Sequence, residues 1–374
     1  MTIPHLSAWV ASGFEPVVEA FEENFADNGE LGAGFAAWLD GELIIDITGG
    51  HADRAKETAW TGETIVPVYS VSKGISAIVV AMLVDRGLVD YETPLSTYWP
   101  EFAAHGKGAV SVGEALSHQA GVPGFAEPID PGLWLDPPGL AARLAEEPPQ
   151  WPIGDGSGYH PLTWGYIAGE LVRRVAGKSL GTLLREEICS PLGIDFQIGT
   201  PEQDHGRVAE IKRPTALPDL GELNDFKRTA FLTKWAQPDR GGAAWREIEI
   251  PSANGHGTAA AVAKLYSIYA HEGVVDRRGI LSQQTMQALT RSRTRGQDRV
   301  LPFDLSFGAG IMRNTNLAFG PNPDTLGHAG WGGAAAFGDP DRGLAAAYVM
   351  NKQSNILLGD PRSKRLFASV YSCL

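Results

Sequence analysis

Residues 70–87 contain the feature that most constrains this chain, an apolar helix that begins with two polar side chains. From residue 75 to residue 84 the segment is apolar on nearly every face, with Ser76 as the exception. That composition is typical of a helix buried inside a protein. Ser70 and Lys73 lie in its first turn, and residues three apart share one face of a helix. The Lys73 amine is therefore predicted to reach the Ser70 hydroxyl.

This pairing has a chemical interpretation. A buried charge is costly, and burial lowers the pKa of a lysine because it disfavours the ammonium form. A neutral amine can take the proton of a neighbouring serine and make it a nucleophile. The helix N-terminus adds N–H groups that favour a developing oxyanion. The alternative is an N-capping serine beside a surface lysine; the apolar context favours the catalytic interpretation.

A rival serine motif is weaker. Residues 177–181 read Gly-Lys-Ser-Leu-Gly and match Gly-x-Ser-x-Gly, which requires a strand before the serine and a helix after it. Residues 164–175 instead predict a helix before Ser179, and a second helix follows from about residue 180. Ser179 is therefore predicted to cap a helix. The nine histidines show no metal-binding spacing, and we predict neither a metal nor a cofactor.

The two ends of the chain predict strands of one sheet. Asp40-Gly41 lies between two apolar runs and indicates a tight hairpin. Predicted strands cover residues 31–39, 43–48, 306–313, 326–337 and 344–351, and predicted helices cover residues 13–28 and 361–371. The middle of the chain is mostly helical, and residues 122–161 indicate an irregular surface loop because they are rich in Pro and Trp.

We therefore predict an α+β fold in which both termini build an antiparallel sheet flanked by helices, with a mainly helical lobe inserted between them. Residues 1–64 and 300–374 are assigned to the sheet lobe and residues 65–299 to the helical lobe.

Composition excludes several classes of function. The 31 basic and 44 acidic residues give a net charge of −13, which disfavours nucleic acid and anionic membranes as partners. The first basic residue is Arg54, so no secretory signal is expected. No apolar stretch approaches the roughly 18 residues of a membrane span. We expect a soluble, cytoplasmic protein. Cys189 and Cys373 are too few for a disulfide framework.

Five segments together resemble the serine β-lactamase and penicillin-binding-protein superfamily over nearly the whole chain, about residues 15–355. They are Ser70-Val71-Ser72-Lys73, Leu116-Ser117-His118-Gln119-Ala120-Gly121-Val122-Pro123, Tyr159-His160-Pro161, Gly255-His256-Gly257-Thr258 and Gly327-His328-Ala329-Gly330. The resemblance implies a β-lactamase/DD-peptidase-like fold and a serine hydrolase. It also implies that Tyr159 joins Ser70 and Lys73 in catalysis, and that the Ser70 and Trp331 N–H groups form an oxyanion hole.

Two departures from that pattern point to a particular substrate. Pro161 stands where class C-like relatives have an asparagine, and His328 replaces the lysine of Lys-Thr-Gly. That lysine helps attract a substrate carboxylate, whereas a histidine is mostly neutral near pH 7. The combination is similar to the family VIII carboxylesterases. It favours a neutral, short-chain carboxylic ester as the small-molecule substrate.

The expected mechanism uses Lys73 as the base and Tyr159, its phenol acidified by the nearby ammonium, as the acid. Substrate contacts are expected from six residues, namely His328, Gly330, Trp331, Phe125, Trp134 and Trp151; for the last three, a role as ordinary loop anchors is equally open. Ser72 is a weak candidate for orienting Lys73, and His118 is expected to have a structural role in its turn. The rival functions are a β-lactamase, a D-amino-acid peptidase or amidase, a transacylase, or a non-catalytic scaffold. The oligomeric state is left open.

Overall fold

The structure is a computed structural model that describes residues 2–237 and 241–374. The helices are α1 Glu15–Asn28, α2 Val71–Asp85, α3 Leu95–Tyr98, α4 Val112–Leu116, α5 Pro137–Ala145, α6 Thr163–Ala176, α7 Leu180–Leu184, α8 Ser190–Leu192, α9 Asp225–Lys227, α10 Ala243–Glu247, α11 Ala259–Ala270, α12 Gln283–Thr290 and α13 Pro361–Ser372. The strands are β1 Ser7–Val10, β2 Gly32–Leu39, β3 Glu42–Gly50, β4 Val66–Pro67, β5 Phe196–Ile198, β6 Gly255–Gly257, β7 Val274–Val275, β8 Arg278–Gly279, β9 Gly296–Gln297, β10 Asp304–Leu305, β11 Met312–Arg313, β12 Leu326–Ala329, β13 Ala335–Asp339 and β14 Leu344–Met350. Turns of 3-10 helix cover Pro100–Ala109, Leu133–Leu135 and Glu202–Arg207, and π-helical turns cover Arg185–Cys189 and Arg228–Leu232.

Both ends of the chain build one antiparallel sheet, as predicted. Its strand order is β1-β3-β2-β14-β13-β12-β11. The two ends meet at its centre, where Ala36 of β2 pairs with Ala347 of β14. The β2–β3 hairpin turns at Asp40 and Gly41, whose φ angles of 49° and 83° confirm the predicted tight turn.

Helices cover both faces of the sheet. A Cβ on Gly34 of β2 would meet α11 at Ala259, whereas the neighbouring Phe35 packs against Phe367 of α13. Successive residues of a strand point to opposite faces, so α11 lies on one face and α13 on the other. Helix α1 packs against α13 and completes that second layer.

Helix α2 is buried, as its apolar composition predicted: residues 71–83 are all buried. Two tyrosines of α11 hold it, with the Tyr266 hydroxyl donating to the Val71 carbonyl at 2.8 Å and the Tyr269 hydroxyl to the Gly74 carbonyl at 2.7 Å. A Cβ on Gly74 would lie 2.4 Å from the Tyr266 oxygen. The glycine thus permits the close helix contact that fixes the start of α2.

Two predicted strands are wrong in their extent. Residues 326–337 form a hairpin of β12 and β13, because the left-handed φ angles of Gly332 and Gly333, 92° and 119°, break the run. Residues 306–313 are largely irregular and only Met312–Arg313 joins the sheet. Within that segment Gly310 has a φ of 100° and passes close to Trp164.

Other differences follow from weak sequence signals. Strand β1 was not predicted because its first three residues are exposed and carry no buried face. Residues 122–161 are not wholly irregular, because helix α5 lies within them. The Asp136 side chain caps that helix by accepting from the Gly139 N–H. Ser179 caps α7 as predicted, by accepting from the Thr182 N–H.

No helix within the described residues is long and apolar enough to cross a membrane. The division into lobes at residues 64/65 and 299/300 stays a proposal. Residue 1 of the predicted sheet lobe and residues 238–240 of the helical lobe lie outside the described residues.

Candidate active site

Ser70 stands at the start of α2, with its Oγ 3.1 Å from Lys73 Nζ. It occupies the N-cap position but makes no side-chain capping hydrogen bond, and Lys73 is completely buried. The capping serine with a surface lysine, the alternative interpretation of this motif, is therefore wrong. Tyr69, just before it, has a φ of 49°, a strained conformation that is common at functional sites.

The Lys73 amine is surrounded by three oxygen atoms. Its Nζ lies 3.1 Å from Ser70 Oγ, 2.8 Å from the Pro161 carbonyl and 3.1 Å from the Ser252 carbonyl. A neutral amine has two N–H donors and one lone pair. Carbonyl oxygens can only accept, so they take both donors. The lone pair is left for the Ser70 hydroxyl proton.

Burial lowers the pKa of Lys73 well below its usual value. Neither the Pro161 nor the Ser252 carbonyl compensates with a full negative charge, so the neutral amine is favoured. The Ser72 hydroxyl, a weak candidate for orienting Lys73, accepts from the Gly255 N–H at 3.0 Å and so links α2 to β6. The two groups that hold Lys73 are backbone carbonyls, which every residue has. The sequence therefore carries no signal that Pro161 and Ser252 would contact Lys73.

Tyr159 lies against the same pair. Its phenol hydrogen-bonds with the Ser70 side chain, and Lys73 Nζ is 4.7 Å from the centre of its ring. Burial raises the Tyr159 pKa above its usual value. The expected acidification of the phenol is therefore not found, because a neutral amine offers no positive charge to stabilise the phenolate.

Asp298, which the sequence did not single out, fixes the backbone of Tyr159. Its Oδ1 accepts from the N–H groups of Tyr159, Val300 and Leu301 at 2.8–2.9 Å. Burial raises the Asp298 pKa to about 6. An isolated aspartate in a polar segment carries no pattern that predicts such a contact 139 residues away in the chain.

Three buried histidines surround Tyr159. The His118 ring lies 4.7 Å and the His328 ring 6.0 Å from it, and His118 Nδ1 accepts from the His160 N–H at 3.1 Å. Burial lowers all three pKa values, to about 3 for His160 and His328. His328 is thus neutral, as expected. Its Nδ1 faces the Ala329 carbonyl at 2.9 Å and must donate, which leaves Nε2 as an acceptor.

The turn between β12 and β13 places Trp331 beside the serine. The Gly330 N–H donates to the Ala334 carbonyl at 2.6 Å. A Cβ on Gly330 would come within 2.3 Å of the Val68 carbonyl, so only glycine fits against the segment that leads to Ser70.

At the start of α2, the N–H groups of the three residues that follow Ser70, Val71 to Lys73, donate within the first turn. That arrangement leaves the Ser70 N–H outside the helical ladder.

These groups open into a cleft with about 710 Å³ of empty volume. Its lining includes Ser70, Tyr159, His328 and Trp331, together with Tyr69, Leu162, Phe231, Leu301, Phe303, Met312 and Leu358. Among the described residues that line the cleft, none is Asp, Glu, Lys or Arg.

Phe125, Trp134 and Trp151 do not line this cleft, contrary to one of the two expectations. Phe125 packs edge-on against Trp235, and Trp151 packs against Phe226. All three expected residues are buried. They anchor the loop because large aromatic rings bury the most surface.

Fold and site together define a serine hydrolase whose serine opens a buried helix beside a lysine and a tyrosine. The Beta-lactamase family model matches residues 17–368, and the chain belongs to that family. It is 35% identical over 353 residues, covering 91% of this chain and 81% of the relative, to Esterase/beta-lactamase LipL of Mycobacterium tuberculosis.

Two solved structures are similar along their full lengths. A penicillin-binding protein homolog from Caulobacter crescentus has a TM-score of 0.96 and 49% identity, with 99% of this chain and 100% of that chain covered. A family VIII carboxylesterase has a TM-score of 0.92 and 38% identity, with the same coverage. The resemblance predicted from the sequence is confirmed.

Proposed function

We propose that the protein is a serine carboxylesterase that hydrolyses short-chain, neutral carboxylic esters through an acyl-enzyme on Ser70. The lack of charged side chains among the described lining residues carries this proposal. Such a cleft suits a neutral substrate, because it offers no cation to repay the cost of desolvating a carboxylate. The names of the mycobacterial relative and the family VIII structure support it.

In the proposed acylation step, Ser70 Oγ attacks the ester carbonyl carbon while its proton passes to the lone pair of Lys73 Nζ. The carbonyl π electrons move onto oxygen, which accepts from the N–H groups of Ser70 and Trp331. Preorganised donors of this kind contribute about 2.7–4 kcal/mol each. The new ammonium is 4.7 Å from the Tyr159 ring centre, where the ring face stabilises a cation.

In the proposed collapse of the intermediate, the bond to the leaving alkoxide breaks and the alkoxide takes the Tyr159 proton. The raised pKa of Tyr159 keeps the phenol protonated for this step. The Lys73 ammonium then returns its proton to the phenolate. Water attacks the acyl-enzyme with Lys73 again as the base, and Ser70 regains its proton.

A β-lactamase is the second candidate, because the mycobacterial relative is named as both an esterase and a β-lactamase. The neutral His328 in place of a lysine disfavours it. D-amino-acid amide hydrolysis and acyl transfer to an alcohol would use the same site. A cytoplasmic location stays a prediction.

The direct test compares p-nitrophenyl acetate and butyrate with a chromogenic cephalosporin. We expect kcat/KM for the butyrate to exceed that for the cephalosporin by at least about 100-fold, or about 2.7 kcal/mol in the barrier. Tyr159→Phe should lower ester turnover about 100-fold or more, the usual contribution of a proton-transfer group. A cephalosporin preferred by the wild type would reject the ester assignment.

The pH profile should report the protonation of Lys73. Its folded pKa lies below the usual value, so the amine is neutral and active at high pH and becomes an inactive ammonium as the pH falls. We expect kcat/KM to rise with pH along one single-proton limb. It should then stay level up to about pH 10, because the pKa of Tyr159 is raised.

Two variants identify the group responsible for that limb. His328→Gln should leave its midpoint in place, since the His328 pKa is about 3. Asp298→Asn should also leave it in place, although burial raises the pKa of Asp298 to about 6. Loss of the limb in either variant would show that Lys73 is not the group that titrates.

A further inference from the structure

A second pocket adjoins the active-site cleft behind two aromatic side chains. Phe231 and Trp331 line both spaces, and their ring centres are 5.8 Å apart. We call this pair the aromatic wall. The second pocket has about 940 Å³ of empty volume. The residues that line it include Leu217, Leu220 and Leu232, and also the polar side chains of Arg213, Gln237 and Gln353.

A glutamine of the second pocket holds the backbone of each wall residue. Gln237 Nε2 donates to the Phe231 carbonyl and Gln353 Nε2 to the Trp331 carbonyl, both at 3.1 Å. Phe231 lies in the π-helical turn Arg228–Leu232 and is 9% exposed. The two glutamines hold the backbone of the wall in place, and the Phe231 and Trp331 residues that they hold lie between the two spaces.

We propose that the aromatic wall sets the longest unbranched aliphatic ester chain that the active site accepts, because the Phe231 ring separates the cleft from a second pocket that the far end of a longer chain would occupy if the ring were removed. This inference rests on the proposed ester hydrolysis. The cleft side offers leucine, phenylalanine and methionine side chains, and the second pocket continues with leucine and proline. A methylene chain that passed the wall would therefore contact these leucine and proline side chains, and moving each methylene from water onto them is favourable. Arg213 and the two glutamines give the same pocket a polar side.

The experiment replaces the Phe231 ring of the aromatic wall with a smaller side chain and measures which ester chain length the enzyme prefers. For Phe231→Ala and Phe231→Leu, kcat/KM is measured with p-nitrophenyl butyrate and octanoate, and with butyl and octyl acetate. Each methylene newly buried contributes about fourfold in kcat/KM, the equivalent of about 0.8 kcal/mol. We expect the C8 to C4 ratio to rise at least about tenfold in one of the two series for Phe231→Ala, and less for Phe231→Leu.

Phe226→Ala is the matched control. It removes the same ring five residues earlier, from a side chain that packs on Trp151 and not on the cleft, so the ratio should stay at the wild-type value. Thermal unfolding checks that each variant is folded. An unchanged ratio in both folded Phe231 variants, or an equal rise in Phe226→Ala, would overturn this inference alone. A wild type that cleaves no ester of any length would overturn the proposed function and this inference with it.

Discussion

Lys73→Met is expected to lower kcat/KM for p-nitrophenyl butyrate by about 10⁴-fold or more, close to the effect of Ser70→Ala. Methionine keeps the length and apolar character of the side chain but has no lone pair to take the Ser70 proton. The two residues act as one unit, so the double variant should lose little beyond either single one. Steady-state kinetics on the four enzymes provide the measurement.

Lys107 offers a matched control for this substitution. It is also fully buried and donates to three backbone carbonyls, those of Ala104, Ala145 and Glu147, at 2.7–3.0 Å. Burial lowers its pKa to about 8. Lys107→Met leaves buried carbonyls without a donor, as Lys73→Met does, at about 1–3 kcal/mol each. It should reduce stability and leave kcat/KM within about threefold of wild type, a factor worth less than 1 kcal/mol.

Equal losses of activity in both folded lysine variants would mean that Lys73 acts only through stability. Retention of more than about 1% of activity in folded Lys73→Met would contradict its assignment as the base.

Arg362→Met is expected to lower the free energy of unfolding by about 3–5 kcal/mol, because it leaves buried carboxylates without their partner. The Arg362 guanidinium contacts both Glu30 oxygens at 3.2 Å and binds Asp360 through two bonds of 2.9 Å. It also donates to the Gly332 carbonyl at 3.0 Å, next to Trp331. Loss of this contact should therefore also reduce kcat.

The destabilisation should depend on pH in a defined direction. Burial raises the Glu30 pKa from 4.5 to about 7 even with Arg362 present. For an acid with a raised folded pKa, stability is greatest below the unfolded pKa and is lost as the pH rises through the folded pKa. Arg362→Met raises that folded pKa further, so its penalty should be largest above about pH 8 and smaller near pH 5.

Arg365→Met, one turn along α13, is the control. Arg365 is partly exposed and pairs with the exposed Glu23 and Asp27 at 3.4 and 2.7 Å. Surface pairs of this kind contribute about 0–1 kcal/mol. Urea unfolding of both variants at two pH values provides the comparison. Equal costs for both arginines, or a larger Arg362 penalty at low pH, would contradict the buried-charge argument.

The helix α2 could be predicted because its signal is local. Thirteen consecutive buried residues need an apolar segment, and the segment is visible without a partner. The Asp40-Gly41 turn could be predicted for the same reason, since the backbone at those two positions selects its own residues. Strand β1 and the split of residues 326–337 into β12 and β13 depend on pairing and on glycine conformations, which a hydrophobic pattern does not record.

The candidate site likewise contains residues that the sequence predicts and residues that it does not. Ser70 and Lys73 share a helix turn, so their spacing is enough to bring them together. Tyr159 was placed by resemblance alone, because nothing near it in the chain indicates the contact. Pro161 and Ser252 contribute only carbonyl groups, which every residue has. Their role appears when the folded chain brings them within about 3 Å of one amine.

The amino-acid sequence by itself determined the buried helix α2, the two-ended sheet and the Ser70–Lys73 pair, since each depends on residues close together in the chain or on its periodicity. Only the tertiary structure decided that burial raises the pKa of Tyr159 instead of the nearby amine lowering it, and that Phe231 rather than Phe125, Trp134 and Trp151 lines the cleft. The physical reason is that desolvation and packing depend on the atoms around a group, and most of those atoms belong to residues far away in the chain.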